Sequence, residues 1–355
     1  MLRKYLCIPI LFSTAMNVMA HEQTTPQVPA DHFDMSHWKI TLPMDKDKNG
    51  KVDEITGVAL LSYSNPNFFY LDKDNNLVFQ VLNKAITTSG SSNARSELRQ
   101  MNRGIHYDVD VKAPANNFSL KVNPKANQFG SIGGKLEATL AVNHVSIHSK
   151  YPSKYPSYSL VVGQIHANKN SAEIKAKTGF GYGNEPIKIF YKKWPSQKTG
   201  SVFWTNERNL TKNDPNRIDV VYPVWGNTWE NKNDPKESGI ALGEKFSYTI
   251  DVYGNMAYLT FSTKKHKTVK YQIDLSSNVN AYGKVDTKNN PHGYAGDSLY
   301  FKAGVYGQCS VKGGKGFWST GCAGTGNFAT DIKNGDYNKA TFSKIKLSAG
   351  TPPNN

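Results

Sequence analysis

Short segments of alternating polar and apolar residues recur along this chain with almost no helical periodicity between them, and that pattern restricts it to an all-β fold. They are rich in Val, Ile, Tyr, Phe and Thr, and clusters of Gly, Asn, Asp and Pro separate them. The clearest are His37–Leu42, Leu77–Val81, Leu136–His148, Tyr158–His166, Ile187–Tyr191, Arg217–Tyr222, Thr268–Ile273, Leu299–Tyr306 and Lys339–Leu347. Phe246–Tyr253 and Met256–Ser262 predict a hairpin turning at Gly254-Asn255. Such a density of strands implies an antiparallel sandwich or barrel. No Ser- or Pro-rich linker divides the chain. The expected organisation is a leader over 1–20, an extension over 21–34, one domain over 35–349 and a tail over 350–355.

The leader is read from Arg3 and Lys4, the apolar stretch Tyr5 to Met16, and the small-residue site Val18-Met19-Ala20, with cleavage before His21. The product would be secreted or periplasmic. Nowhere does the chain reach the ~20 apolar residues of a membrane span. Losing Arg3 and Lys4 lowers the formal charge from +15 to +13. A basic exported protein suits a polyanionic partner. Export disfavours nucleic acid, and without a basic amphipathic helix a membrane surface is disfavoured too. An acidic polysaccharide remains, bound by a monomer. Once Cys7 leaves with the leader, Cys309 and Cys322 remain as an expected disulfide worth roughly 3 kcal/mol.

Three segments carry chemistry. In Arg95-Ser96-Glu97-Leu98-Arg99, strand alternation puts two guanidiniums and a carboxylate on one face. The glutamate can orient the arginines, and an arginine can clamp a sugar carboxylate; an ordinary solvated face reads equally well. Gln164-Ile165-His166 pairs an amide with an imidazole on one face. In Tyr300-Phe301-Lys302-Ala303-Gly304-Val305-Tyr306-Gly307-Gln308, Tyr300, Lys302, Gly304 and Tyr306 share a face, and Gly304 leaves a gap for a ligand. Asp45, Asp47 and Asn49, followed by Asp53, resemble half of a calcium loop. Thr56 occupies the twelfth position where an EF-hand has glutamate, which favours a plain polar turn over a structural calcium site.

Together and in order, the three segments resemble the R-(S/T)-E-L-R, Q-(I/V)-H and Y-F-K-A-G-x-Y-N-Q blocks of the polysaccharide lyase family 7 alginate lyases, and His37-Trp38-Lys39-Ile40-Thr41-Leu42-Pro43 is similar to that family's first strand. The resemblance spans residues 35 to 347, with Gly307 where the family usually has Asn. It implies a β-jelly roll of two antiparallel sheets with a concave groove, and β-elimination on alginate without a catalytic cofactor. Arg95 and Gln164, with Arg99, would neutralise the uronate carboxylate; His166 and Tyr306 would act as base and acid. Glu97, Arg99, Tyr300, Lys302 and Gln308 would line the substrate. Ile165 tilts the expectation towards guluronate-containing blocks. A lyase acting on another polyuronate such as glucuronan, and a non-catalytic lectin of the same fold, are the competing readings.

Overall fold

A computed structural model describes residues 27–106, 108–311 and 316–353. The expected leader and Cys7 lie outside the described residues. Two sheets make up the architecture, antiparallel apart from one short parallel pair, Phe118–Ser119 with Ser131–Ile132. The main path of the larger sheet runs Asp219–Trp225, Thr199–Glu207, Ile187–Lys192, Ser159–Ala167, Leu299–Ser310, Asn93–Gln100, Trp38–Thr41, Glu54–Thr56. The smaller runs Val269–Asp274, Met256–Thr263, Lys245–Tyr253, Gly134–His144, Tyr337–Ser348, Leu77–Leu82, Phe69–Leu71. This is a β-jelly roll. Among the described residues the only α-helices are the short Ser171–Ala176 and Phe328–Asn334, and no helix is long and apolar enough to cross a membrane.

Alternation explains how the sheets close on each other. Trp38, Ile40, Leu98, Ile165, Ile187, Ile189, Leu299, Phe301, Ala303 and Val305 point inward, meeting Phe79, Leu140, Tyr248, Ile250, Leu259 and Phe342 of the smaller sheet in one apolar core. Each of the Leu, Ile, Val and Phe side chains among them contributes roughly 1.5–3 kcal/mol of burial. The intervening positions are thereby forced outward. The expected hairpin turns at Gly254-Asn255, with Tyr253 paired to Met256. Strands Phe69–Leu71 and Thr199–Glu207 were not anticipated from alternation. The first has only three residues, and the second opens with Thr-Gly-Ser, which reads as a turn.

Cys309 and Cys322 form the expected disulfide, their Cα atoms 5.2 Å apart. Within the loop that it closes, Phe317 and Trp318 pack edge-on against Trp229. Trp229 joins Val161, Phe190 and Phe203 in a second apolar cluster, against which Tyr306 and Trp318 pack.

Candidate active site

Register brings the three sequence segments together on adjacent strands. The strand bearing Tyr306 lies between those bearing Arg95 and His166: Lys302 pairs with Arg99 on one side and Gln164 on the other, Tyr306 pairs with Arg95, and Tyr300 pairs with His166. Outward alternation then places Arg95, Glu97, Arg99, Gln164, His166, Tyr300, Lys302 and Tyr306 on the face opposite the core.

Glu97 organises this face. Its Oε2 accepts from Arg95 Nη1 at 3.1 Å and pairs with Lys302 Nζ, while Oε1 accepts from Gln164 Nε2. Only 1 % exposed, Glu97 lies beneath its three partners and holds them, whereas the sequence had placed it among the substrate contacts. Gln164 Oε1 and Arg95 Nε have no protein partner. Arg99 departs from the expected trio. It donates to the backbone carbonyls of Gln100 and Val111 and to Asn117 Oδ1, with its guanidinium 3.9 Å from the centroid of the Tyr300 ring. These loop partners draw it away from Glu97.

His166 Nδ1 lies 2.7 Å from the Ala167 carbonyl, an arrangement in which Nδ1 carries the proton and Nε2 the lone pair. Tyr300 stacks on the imidazole at 5.2 Å. Burial pushes the His166 pKa down to about 4; Glu185 opposes the shift, and Lys302 and Arg95 add to it. The ring is therefore a neutral acceptor across the neutral range. Tyr306 has its hydroxyl 3.0 Å from Ser91 Oγ and its ring 4.0 Å from the Arg95 guanidinium. Burial raises its pKa despite the pull of Arg95, so the phenol keeps its proton. Lys302 is lowered to about 8, chiefly by burial and then by Arg95, with Glu97 restraining the fall.

Two expectations about the Tyr306 strand need correction. Gly304 leaves no gap for a ligand. A Cβ there would lie 2.6 Å from the Ser96 carbonyl oxygen and 3.1 Å from Phe79, against the neighbouring strand and the core, and φ of +141° itself demands glycine. Gln308 does not join the cluster; it is buried, and its amide donates to the Tyr306 carbonyl. At Gly307 a Cβ would sit 3.1 Å from Asn338 Nδ2 and 3.6 Å from Val81, so the side chain that the family usually carries there would point away from the reacting groups.

Several groups of the site escaped the sequence reading. Glu185 Oε1 lies 3.6 Å from His166 Nε2, and its Oε2 lies 2.8 Å from Lys188 Nζ, which also reaches Asp219 at 2.9 Å. Lys188 was detectable as a lysine between two isoleucines in an otherwise apolar run; Glu185 and Ser91 come from loops, where alternation carries no signal. Away from the site, carboxylate oxygens of Asp45, Asp47 and Asp53 lie within 4.8 Å of one another. Asp45 accepts from the backbone N–H groups of Asn49 and Gly50, and Asn49 donates to Asp47. That is a self-satisfied polar turn.

Relatives share this arrangement's scaffold. The sequence model of a family described as alginate lyase matches residues 33–349. An alginate lyase of Klebsiella pneumoniae is 32% identical over 332 residues, 91% of each chain. The crystal structure of the alginate lyase from Klebsiella pneumoniae superposes with a TM-score of 0.70 at 29% identity, over 92% of this chain and 99% of that one. That of the exolytic PL7 alginate lyase from Zobellia galactanivorans also gives 0.70, at 32% identity over the same shares. Taken with the fold and the ordered motifs, these matches make this chain a member of the alginate lyase family, polysaccharide lyase family 7, and a polysaccharide lyase.

Proposed function

We propose that this enzyme depolymerises alginate by β-elimination, favours guluronate-containing blocks, and attacks chain ends. The observation that carries the chemistry is the convergence of Arg95, Gln164, His166 and Tyr306 from three adjacent strands. The amide of Gln164 and the guanidinium of Arg95 suit the uronate carboxylate, whose neutralisation makes the C5 proton removable. In guluronate His166 Nε2 takes that proton. The C5–H electrons form the C4–C5 double bond as C4–O4 breaks, and Tyr306 gives its proton to O4. In mannuronate the proton and leaving group lie on one side, which suits Tyr306 as both base and acid.

Ile165 accompanies guluronate activity in this family. It is wholly buried in the core, so any influence passes through the backbone of Gln164 and His166. Attack at chain ends draws support from a relative. The Zobellia relative described as exolytic has the same scaffold. A monomer is part of the same proposal. The elimination uses side chains alone, so calcium held by the Asp45 loop would be structural. Export after cleavage before His21 belongs to the same proposal.

Incubation with polyguluronate, polymannuronate and glucuronan, followed by ultraviolet absorbance of the unsaturated end and early product sizing, tests these readings. Absorbance is expected on alginate blocks, fastest on polyguluronate, with small products from the outset. Absorbance on glucuronan alone would favour the other polyuronate, none on any substrate would favour the lectin, and long early products would refute attack at ends.

A further inference from the structure

The cations that hold a uronate carboxylate create a difficulty for the base beside them. Lys302 and Arg95 both disfavour a positive charge on His166, and burial disfavours it further. Yet the imidazole must become an imidazolium when it takes the C5 proton. On its other side the ring meets Glu185, whose Oε1 is 3.6 Å from Nε2. That separation exceeds hydrogen-bond reach, so the carboxylate does not occupy the Nε2 lone pair. It becomes an ion-pair partner only after Nε2 is protonated.

Glu185 is held for this task. Lys188 grips its Oε2 at 2.8 Å and is itself anchored to Asp219 at 2.9 Å. The Glu185 backbone N–H donates to Glu207 Oε2 at 2.7 Å, and Glu207 pairs with Arg217 at 2.8 Å. Burial works against the Glu185 charge, but Lys188, through its charge and its hydrogen bond, leads the groups that keep the carboxylate ionised below its ordinary range. A negative charge so firmly kept in a pocket for a polyanion opposes substrate binding, which argues that it serves the chemistry.

We infer that Glu185 is a positioning and specificity-determining residue: its carboxylate, 3.6 Å from His166 Nε2, stabilises the imidazolium that forms when His166 takes the C5 proton, favouring guluronate over mannuronate cleavage. This rests on the proposal that His166 is the guluronate base. On mannuronate, where Tyr306 is the base, a carboxylate beside His166 offers no such help. The charged groups facing His166 are thus Glu185, Lys302 and Arg95, with the Tyr300 ring stacked on one face.

The test is Glu185→Gln, assayed on polyguluronate and polymannuronate across pH. The expected result is a fall of about tenfold in the ratio of guluronate to mannuronate kcat, a fraction of what a general base supplies. KM for polyguluronate should stay level or fall, because a negative charge has left the pocket, and the acid limb on polyguluronate should move to lower pH. Glu185→Asp, which keeps the charge but withdraws it by one methylene, should lower the ratio less, and it replaces the Gln variant if that does not fold. An unchanged ratio, or equal losses on both substrates with a raised KM, would overturn the inference. His166→Asn separates the two levels: full guluronate cleavage in that variant would sink the base assignment itself, whereas loss there with an unchanged ratio in Glu185→Gln would sink only the role of Glu185.

Discussion

Replacing Glu97 by glutamine tests the organisation of the site from beneath. Three donors, on Arg95, Lys302 and Gln164, converge on two carboxylate oxygens. An amide substitutes an N–H donor for one of those acceptors and removes a negative charge that touches both cations. Losing one partner of a buried pair usually costs about 3–5 kcal/mol. Here Lys302 has an escape. With a pKa of about 8 it can be discharged at pH 7 for about 1 kcal/mol, since each pKa unit is worth 1.36 kcal/mol. One donor left facing an N–H adds roughly 2 kcal/mol. The total of about 3 kcal/mol corresponds to a fall in Tm of about 4 °C for a chain of this size, readable by calorimetry. Activity should fall much further. Arg95, Gln164 and Lys302 lose their common anchor, and kcat/KM on alginate should drop about a hundredfold, the scale set by losing one preorganised donor. The alkaline limb should also move below pH 8, because Glu97 restrains deprotonation of Lys302. Activity within threefold of wild type, or an unmoved alkaline limb, would refute Glu97 as the organiser.

Further outcomes follow from the same geometry. His166→Asn should reduce guluronate cleavage at least as severely as mannuronate cleavage, by about a hundredfold or more on polyguluronate in steady-state assays. For the unmodified enzyme on polyguluronate, kcat/KM should be bell-shaped in pH. His166 must be neutral to accept a proton, so activity rises with pH through about 4; Lys302 must be charged to hold a uronate, so activity falls as pH passes about 8. A profile between pH 3 and 10 reads both limbs, and an acid limb near the ordinary histidine value of ~6.5 would contradict the burial argument.

What was legible in the sequence was what strand alternation encodes. Arg95, Glu97, Gln164, His166, Tyr300, Lys302 and Tyr306 could be assigned to one face because a period of two leaves no other choice once Leu98, Ile165 and Phe301 go to the core. The pairing of Arg95 with Tyr306 and of Gln164 with Lys302 was not legible, since register is set by long-range packing. Arg99 was misread because its partners Val111 and Asn117 come from a loop. Gly304 was misread because alternation assumes an ordinary backbone, and this residue has φ of +141°. Glu185 lies just outside its strand, where neither period nor composition marks it.

Tyr306→Phe tests the central claim most directly, because the phenol alone is asked to protonate O4 on every substrate. The substitution removes one oxygen and leaves the ring against Arg95 and the aromatic cluster. Measured together on guluronate and mannuronate blocks, unsaturated-end absorbance should vanish for both, while the affinity for alginate oligosaccharides, read by calorimetry, stays within about threefold of wild type, a difference of under 1 kcal/mol. Full turnover in that variant, with binding intact, would contradict the assignment of Tyr306 and the elimination built on it.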